Sequence, residues 1–223
     1  MEFGFLLLLT LLPAAFWLWF FIRRDRHPEP AWLLVRTFAY GAVAWGLAAA
    51  MELSIHDLPQ PFVVLILVAL LEEGAKFLAA STAVRERDFD EPMDGLVYAV
   101  TAALGFATVE SVTYGFGYGA GVAAWHGLVT TLAHALFSAP VGYALALSRF
   151  VPGRWWRTRG ITVSVILHVL FNGLLTGSVG WGSLVALALL LGVMYVIADH
   201  LYTRLDPHVQ RRAFPSGRQR RQG

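Results

Sequence analysis

Three ionisable side chains, Glu72, Glu73 and Lys76, fall within five consecutive positions of an apolar stretch running from Pro61 to Val84. Each costs roughly 2.5–3.5 kcal/mol at a bilayer centre, so ionisable groups at that depth are functional by default. Lys76 is the only lysine in the chain; the other sixteen of its 17 Lys and Arg residues are arginines. On a helix, Glu72 and Lys76 are four apart, share a face and can pair. Glu73 lies about 100° round the axis and faces either a different neighbour or the same cavity. A carboxylate held beside an ammonium is suited to act as a general base. Further along, His134 stands alone in an apolar run, where a histidine's ordinary role is a hydrogen bond between helices. His168 is followed four residues later by Asn172. The two project from one face and offer two donors to one oxygen, as an oxyanion site requires. Glu110, with Tyr114 one turn on, is a further acid in an apolar setting. Asp94 precedes Gly95 and reads as a helix N-cap.

The elements that must position these groups are helices in a membrane. The chain is 57% hydrophobic and 14% charged, against about 25% charged in a soluble domain, which leaves no room for a sizeable soluble domain. Absence of cysteine excludes disulfides, Cys-ligated zinc and a thiol nucleophile. Seven apolar runs approach the roughly 20 residues needed to span: 3–22, 32–53, 61–83, 94–115, 121–148, 160–177 and 181–202. The fold class is therefore all-α and polytopic, with residues 1–203 forming one transmembrane domain and 204–223 a basic, disordered tail. All sixteen arginines lie in or beside the first, third and fifth connections or beyond the last run. By the positive-inside rule the N-terminus is outside and the C-terminus cytoplasmic. The charge describes topology in a lipid bilayer and gives no sign of nucleic-acid binding.

Orientation converts position into depth at about 1.5 Å per helical residue. Glu72 then lies roughly 17 Å below the outer surface, His134 roughly 20 Å, His168 roughly 13 Å, and Asn172 and Glu110 roughly 8 Å. Four helices bring acid or imidazole into one layer between the midplane and the outer face. The expectation is a polar cavity open to the outside.

These residues resemble the motifs of the PrsW family of bacterial intramembrane proteases, a group related to the CAAX proteases and bacteriocin-processing proteins. Glu72-Glu73-x-x-Lys76 is similar to the family's Glu-Glu-x-x-Lys. Asp94-Gly95-Leu96-Val97-Tyr98 through Gly105-Phe106-Ala107-x-x-Glu110 is similar to its second block, and His134 and His168-x-x-x-Asn172 to its histidine positions. The resemblance implies an intramembrane endopeptidase in the bacterial inner membrane, cutting membrane-anchored proteins, with anti-sigma-factor-like substrates. It implies that Glu72 or Glu73 activates a water, that His168 and Asn172 steady the oxyanion, and that His134 orients the water or protonates the leaving amine. Glu110 would assist at the substrate, and Lys76 and Asp94 would support. A metal-free glutamate mechanism is the expectation; a zinc on His134, His168 and Glu72 is the alternative. Outside the protease class stand an ion- or proton-coupled transporter and a non-catalytic peptide-binding membrane protein. The sequence shows no repeated half of the kind many transporters carry. Substrate identity and oligomeric state are not encoded in any motif.

Overall fold

A computed structural model describes residues 3–25, 27–176 and 180–205. Long helices follow one another: α1 (Phe3–Ile22), α2 (Ala31–Glu52), α3 (Pro61–Ser81), α4 (Met93–Tyr118), a short α5 (Ala120–Trp125), α6 (Thr131–Phe150), α7 (Trp156–Thr176) and α8 (Trp181–Leu205). Each covers one of the apolar runs, apart from α5 and α6. These join through a π-helical turn, His126–Thr130, and together cover the fifth run. Among the described residues, six spans are long and apolar enough to cross a membrane. The seventh long helix, α3, has 21 residues but carries Glu72, Glu73 and Lys76. The protein is an all-α, polytopic integral membrane protein. Residues 206–223, most of the expected basic tail, lie outside the described residues.

α4 is the central post. It packs against α6, α2, α1 and α3, and it is buried along most of its length. Close approach needs missing side chains. A Cβ on Gly105 would stand 2.0 Å from the Phe38 carbonyl oxygen, and one on Gly41 the same distance from that of Ala102. Gly95 and Gly142 likewise set backbone against backbone between α4 and α6. Small residues at such crossings are what membrane helices use, because lipid tails supply no hydrophobic drive for helix association. Gly119, with φ of 92°, supplies the left-handed residue that ends α4. The packing places α3 against α2, α4, α6 and α7. Glu72, Glu73 and Lys76 are buried, while Gly74 and Ala75 between them are partly exposed on the face that carries Leu70 and Leu78.

Asp94 differs from expectation. The residue preceding α4 is Pro92, and Asp94 lies in the first turn, fully buried. Its Oδ2 accepts the Glu91 backbone N–H at 2.8 Å, so it caps the entering loop from inside the helix.

Candidate active site

Of the polar side chains predicted to share a layer, Glu72, Glu110, His134 and His168 meet in one cluster with Glu73 and Lys76, whereas Asn172, one turn beyond His168 on α7, makes no hydrogen bond to them. From α3, Lys76 donates to Glu73 Oε1 at 2.7 Å and reaches Glu72 Oε2 at 3.3 Å. Across the α3–α6 interface the same ammonium donates to His134 Nδ1 at 2.7 Å. His134 Nε2 faces Glu110 Oε2 on α4 at 2.8 Å. From α7, His168 Nδ1 faces Glu73 Oε1 at 3.0 Å, while its Nε2 lies 3.8 Å from Glu72 Oε2. One network therefore runs Glu110–His134–Lys76–Glu73–His168 and ends beside Glu72.

The hydrogen positions follow from the partners. An ammonium has only protons to offer. His134 Nδ1 must accept from it, so the ring proton sits on Nε2 and is donated to Glu110. His168 turns Nδ1 to the Glu73 carboxylate, which accepts its N–H, and Nε2 to Glu72. This is the orienting role that a carboxylate plays for a histidine in hydrolytic triads.

Aromatic rings wall the cluster. Phe137, three residues beyond His134, stacks on His168 with ring centroids 4.5 Å apart. Lys76 Nζ sits 4.3 Å from the Phe106 centroid and 5.1 Å from that of Phe137. Such contacts are worth about 2 kcal/mol or more when desolvated. Phe106 was read only as part of the block ending at Glu110, and Phe137 was not singled out in the sequence. Their signal was their spacing, one turn from His134 and from Glu110, which is also what ordinary core packing gives.

The groups do not line an open polar cavity: Glu72, Glu73, Lys76, His134 and His168 are all buried, and Glu110 and Asn172 are the partly exposed members. Asp94 is not brought to the cluster, since it lies sixteen residues before Glu110 on the same helix, about 24 Å along the axis. Beside the cluster, an apolar groove of about 620 Å³ runs between α3 and α7 and is lined by Pro61, Leu65, Val169 and Gly173 among others.

Residues 29–199 match the model of a family described as PrsW family intramembrane metalloprotease. The chain belongs to the PrsW family. It is similar to Protease PrsW of Geobacillus kaustophilus, 28% identical over 182 residues that cover 77% of this chain and 80% of that protein. It is also 28% identical to Protease PrsW of Clostridioides difficile over 86% of this chain and 85% of that protein. The same identity holds with Protease PrsW of Bacillus subtilis, over 73% and 78%. No solved structure matches the chain. Membership of the PrsW family makes this protein a protease of bacterial membranes.

The family's description implies a metal, and the donor set can be tested for it. Glu72, Glu110 and His134 each place one ligand atom within 4.8 Å of the others, and three protein ligands with an open position is the pattern of catalytic zinc. Glu110 stands in this set where the sequence pointed to His168. The second nitrogen of a zinc-bound histidine ordinarily donates its proton to an acceptor. Here, a metal on His134 Nε2 would require a proton on Nδ1, pointed at the Lys76 ammonium 2.7 Å away. A metal on Nδ1 would need the space the ammonium fills. With Lys76 in place the arrangement does not fit a divalent ion.

Proposed function

We propose that the protein is an intramembrane endopeptidase that hydrolyses membrane-anchored proteins with a water activated by Glu72. The observation that carries this is the unequal engagement of the two glutamates. Glu73 is fully buried and spends Oε1 on Lys76 and His168. Glu72 makes only long contacts, at 3.3 and 3.8 Å. The 3.8 Å between Glu72 Oε2 and His168 Nε2 exceeds a hydrogen bond, and a water about 2.8 Å from both would bridge it.

In this reading Glu73 is a positioning residue that holds His168 and Lys76. His168 accepts one hydrogen of the water and so aims its oxygen. Glu72 takes the other proton as the oxygen attacks the scissile carbonyl carbon. The Asn172 amide donates to the resulting oxyanion, and a preformed donor in a low-dielectric site acts strongly there. When the C–N bond breaks, the Glu72 carboxyl returns its proton to the leaving amine. Both nitrogens of His134 are engaged, so it positions Lys76 and Glu110 rather than moving protons. Lys76 holds two carboxylates and an imidazole in one place, which is the preorganisation that such chemistry needs.

The substrate class is a single-span membrane protein, of the anti-sigma-factor-like kind implied by the motifs, cut toward the outer side. Arginine placement supports the N-out orientation. The partly exposed Glu110 and Asn172 fall on the outer half in that orientation. Cleavage of a single-span membrane peptide by purified Glu72→Gln tests the assignment. A loss of about 10²–10⁴-fold is expected on removing a general base; wild-type cleavage by this variant would rule Glu72 out.

A further inference from the structure

A second cluster of titratable groups sits at the other end of α4, where the arginine-bearing connections α1–α2 and α3–α4 meet. Asp25 comes from the first connection, Glu91 from the second and Asp94 from the first turn of α4. Glu29 joins them, hydrogen-bonded through Oε2 to the Tyr98 hydroxyl. Asp25 and Asp94 are more than nine-tenths buried. The described arginines nearby are engaged elsewhere, Arg24 with Asp199 and Arg36 with Glu86. Among the described residues the one cationic contact to the group is His27 Nδ1, at 2.7 Å from Glu91 Oε2.

Carboxylates crowded out of water repel one another unless something compensates. A separate observation shows where the compensation would go. Asp25 uses Oδ1 to accept the His27 backbone N–H and Asp94 uses Oδ2 to accept that of Glu91. Their other oxygens, Asp25 Oδ2 and Asp94 Oδ1, are buried without a donor, and the carboxyl groups they belong to lie against those of Glu91 and Glu29. Orphaned buried acceptors are rare in native proteins and each calls for an explanation. Asp25, Glu91 and Asp94 each bring one oxygen within 4.8 Å of the others. Two oxygens on opposite sides of a Ca²⁺, each bonded at about 2.4 Å, are about 4.8 Å apart; a Mg²⁺ site asks for a contraction to about 4.2 Å.

We propose that Asp25, Glu91 and Asp94 form a binding site for a hard divalent cation, Mg²⁺ or Ca²⁺, that ties the α1–α2 and α3–α4 connections to the start of α4. All three ligands are oxygens, which suits these ions and not zinc or copper. The site is separate from the Glu72 cluster and would act on the stability of the fold.

The test uses the full chain in detergent, stripped with EDTA and then heated with rising MgCl₂ or CaCl₂ at ionic strength matched with KCl. Ligand linkage predicts a Tm rise of about 5–10 °C at one hundred times Kd. The shift should vanish in Asp25→Asn/Glu91→Gln, a variant relieved of like charge and so expected to fold. It should persist in Glu72→Gln. Terbium(III) luminescence on the folded wild type and double variant reads the same site without melting the protein. No shift in the wild type overturns the proposal, as does a full shift in the double variant or a shift abolished by Glu72→Gln. No substrate is involved, so failure here is independent of failure of the protease reading.

Discussion

Replacing Lys76 by methionine is the perturbation with the largest consequence worked from the structure. The methionine keeps much of the stem's volume beside Phe106 and Phe137, but it removes a cation that contacts Glu73 at 2.7 Å, Glu72 at 3.3 Å and His134 at 2.7 Å. Glu73 is fully buried, and its Oε2 already lacks a partner. Its remaining support is His168 at 3.0 Å. Removing one member of a buried pair costs about 3–5 kcal/mol, because the other charge is left uncompensated. At about 2–4 °C per kcal/mol for a chain of this size, Tm should fall by about 6–20 °C. The double variant Lys76→Met/Glu73→Gln removes both charges, so it should recover part of the loss. Thermal unfolding of the four proteins of this cycle in one detergent gives the coupling directly, expected to lie in the upper part of the 0.5–3 kcal/mol range seen for contacting residues. A Lys76→Met protein within about 0.5 kcal/mol of wild type, the scale of an ordinary surface change, would refute the reasoning. Additive single effects would do the same, since they would mean that Lys76 and Glu73 are not mutually dependent.

Other outcomes follow from the same geometry. Asn172→Ala should lower kcat by about 10²–10³ with little change in KM, as for loss of an oxyanion donor; equal loss in kcat and rise in KM would assign it to substrate binding instead. Gly105→Ala drives a Cβ to 2.0 Å from the Phe38 carbonyl oxygen, and overpacking of this kind costs about 1–3 kcal/mol, to be read as a lower Tm. Phe137→Leu removes the ring stacked on His168 at 4.5 Å. Cleavage should fall more than stability does, and an unchanged kcat would show that the ring does not orient the histidine.

The helices were legible in the sequence because each apolar run is bounded by polar or turn residues. The polar layer was legible because arginine placement gives the helices alternating expected directions and helical rise then sets relative depth. Glu72, His134, His168 and Glu110 were all placed in one layer on that basis and do meet. The sequence could not decide whether Glu73 joins them. Its direction, about 100° from Glu72, becomes inward only because α7 packs on that side of α3. Nor did any residue signal that Lys76 reaches across to His134, since that contact depends on the α3–α6 crossing. The π-helical turn at His126–Thr130 carries no composition signal. Asp94 was read by its local spacing as a cap. Its neighbours Asp25 and Glu29 lie more than sixty residues away in sequence, so the cluster exists only after α1, α2 and α4 pack.

The central claim is that Glu72, not a metal, activates the water. The decisive measurement is cleavage of a single-span membrane peptide by purified wild type and Glu72→Gln, with bound zinc determined on the same samples. A zinc-selective chelator would be present or absent, with magnesium kept in excess so that the interfacial site stays loaded. The account predicts that wild type cleaves with the chelator present and without stoichiometric zinc, and that Glu72→Gln does not cleave. Activity lost on chelation and restored by zinc would contradict it, and so would cleavage that survives Glu72→Gln.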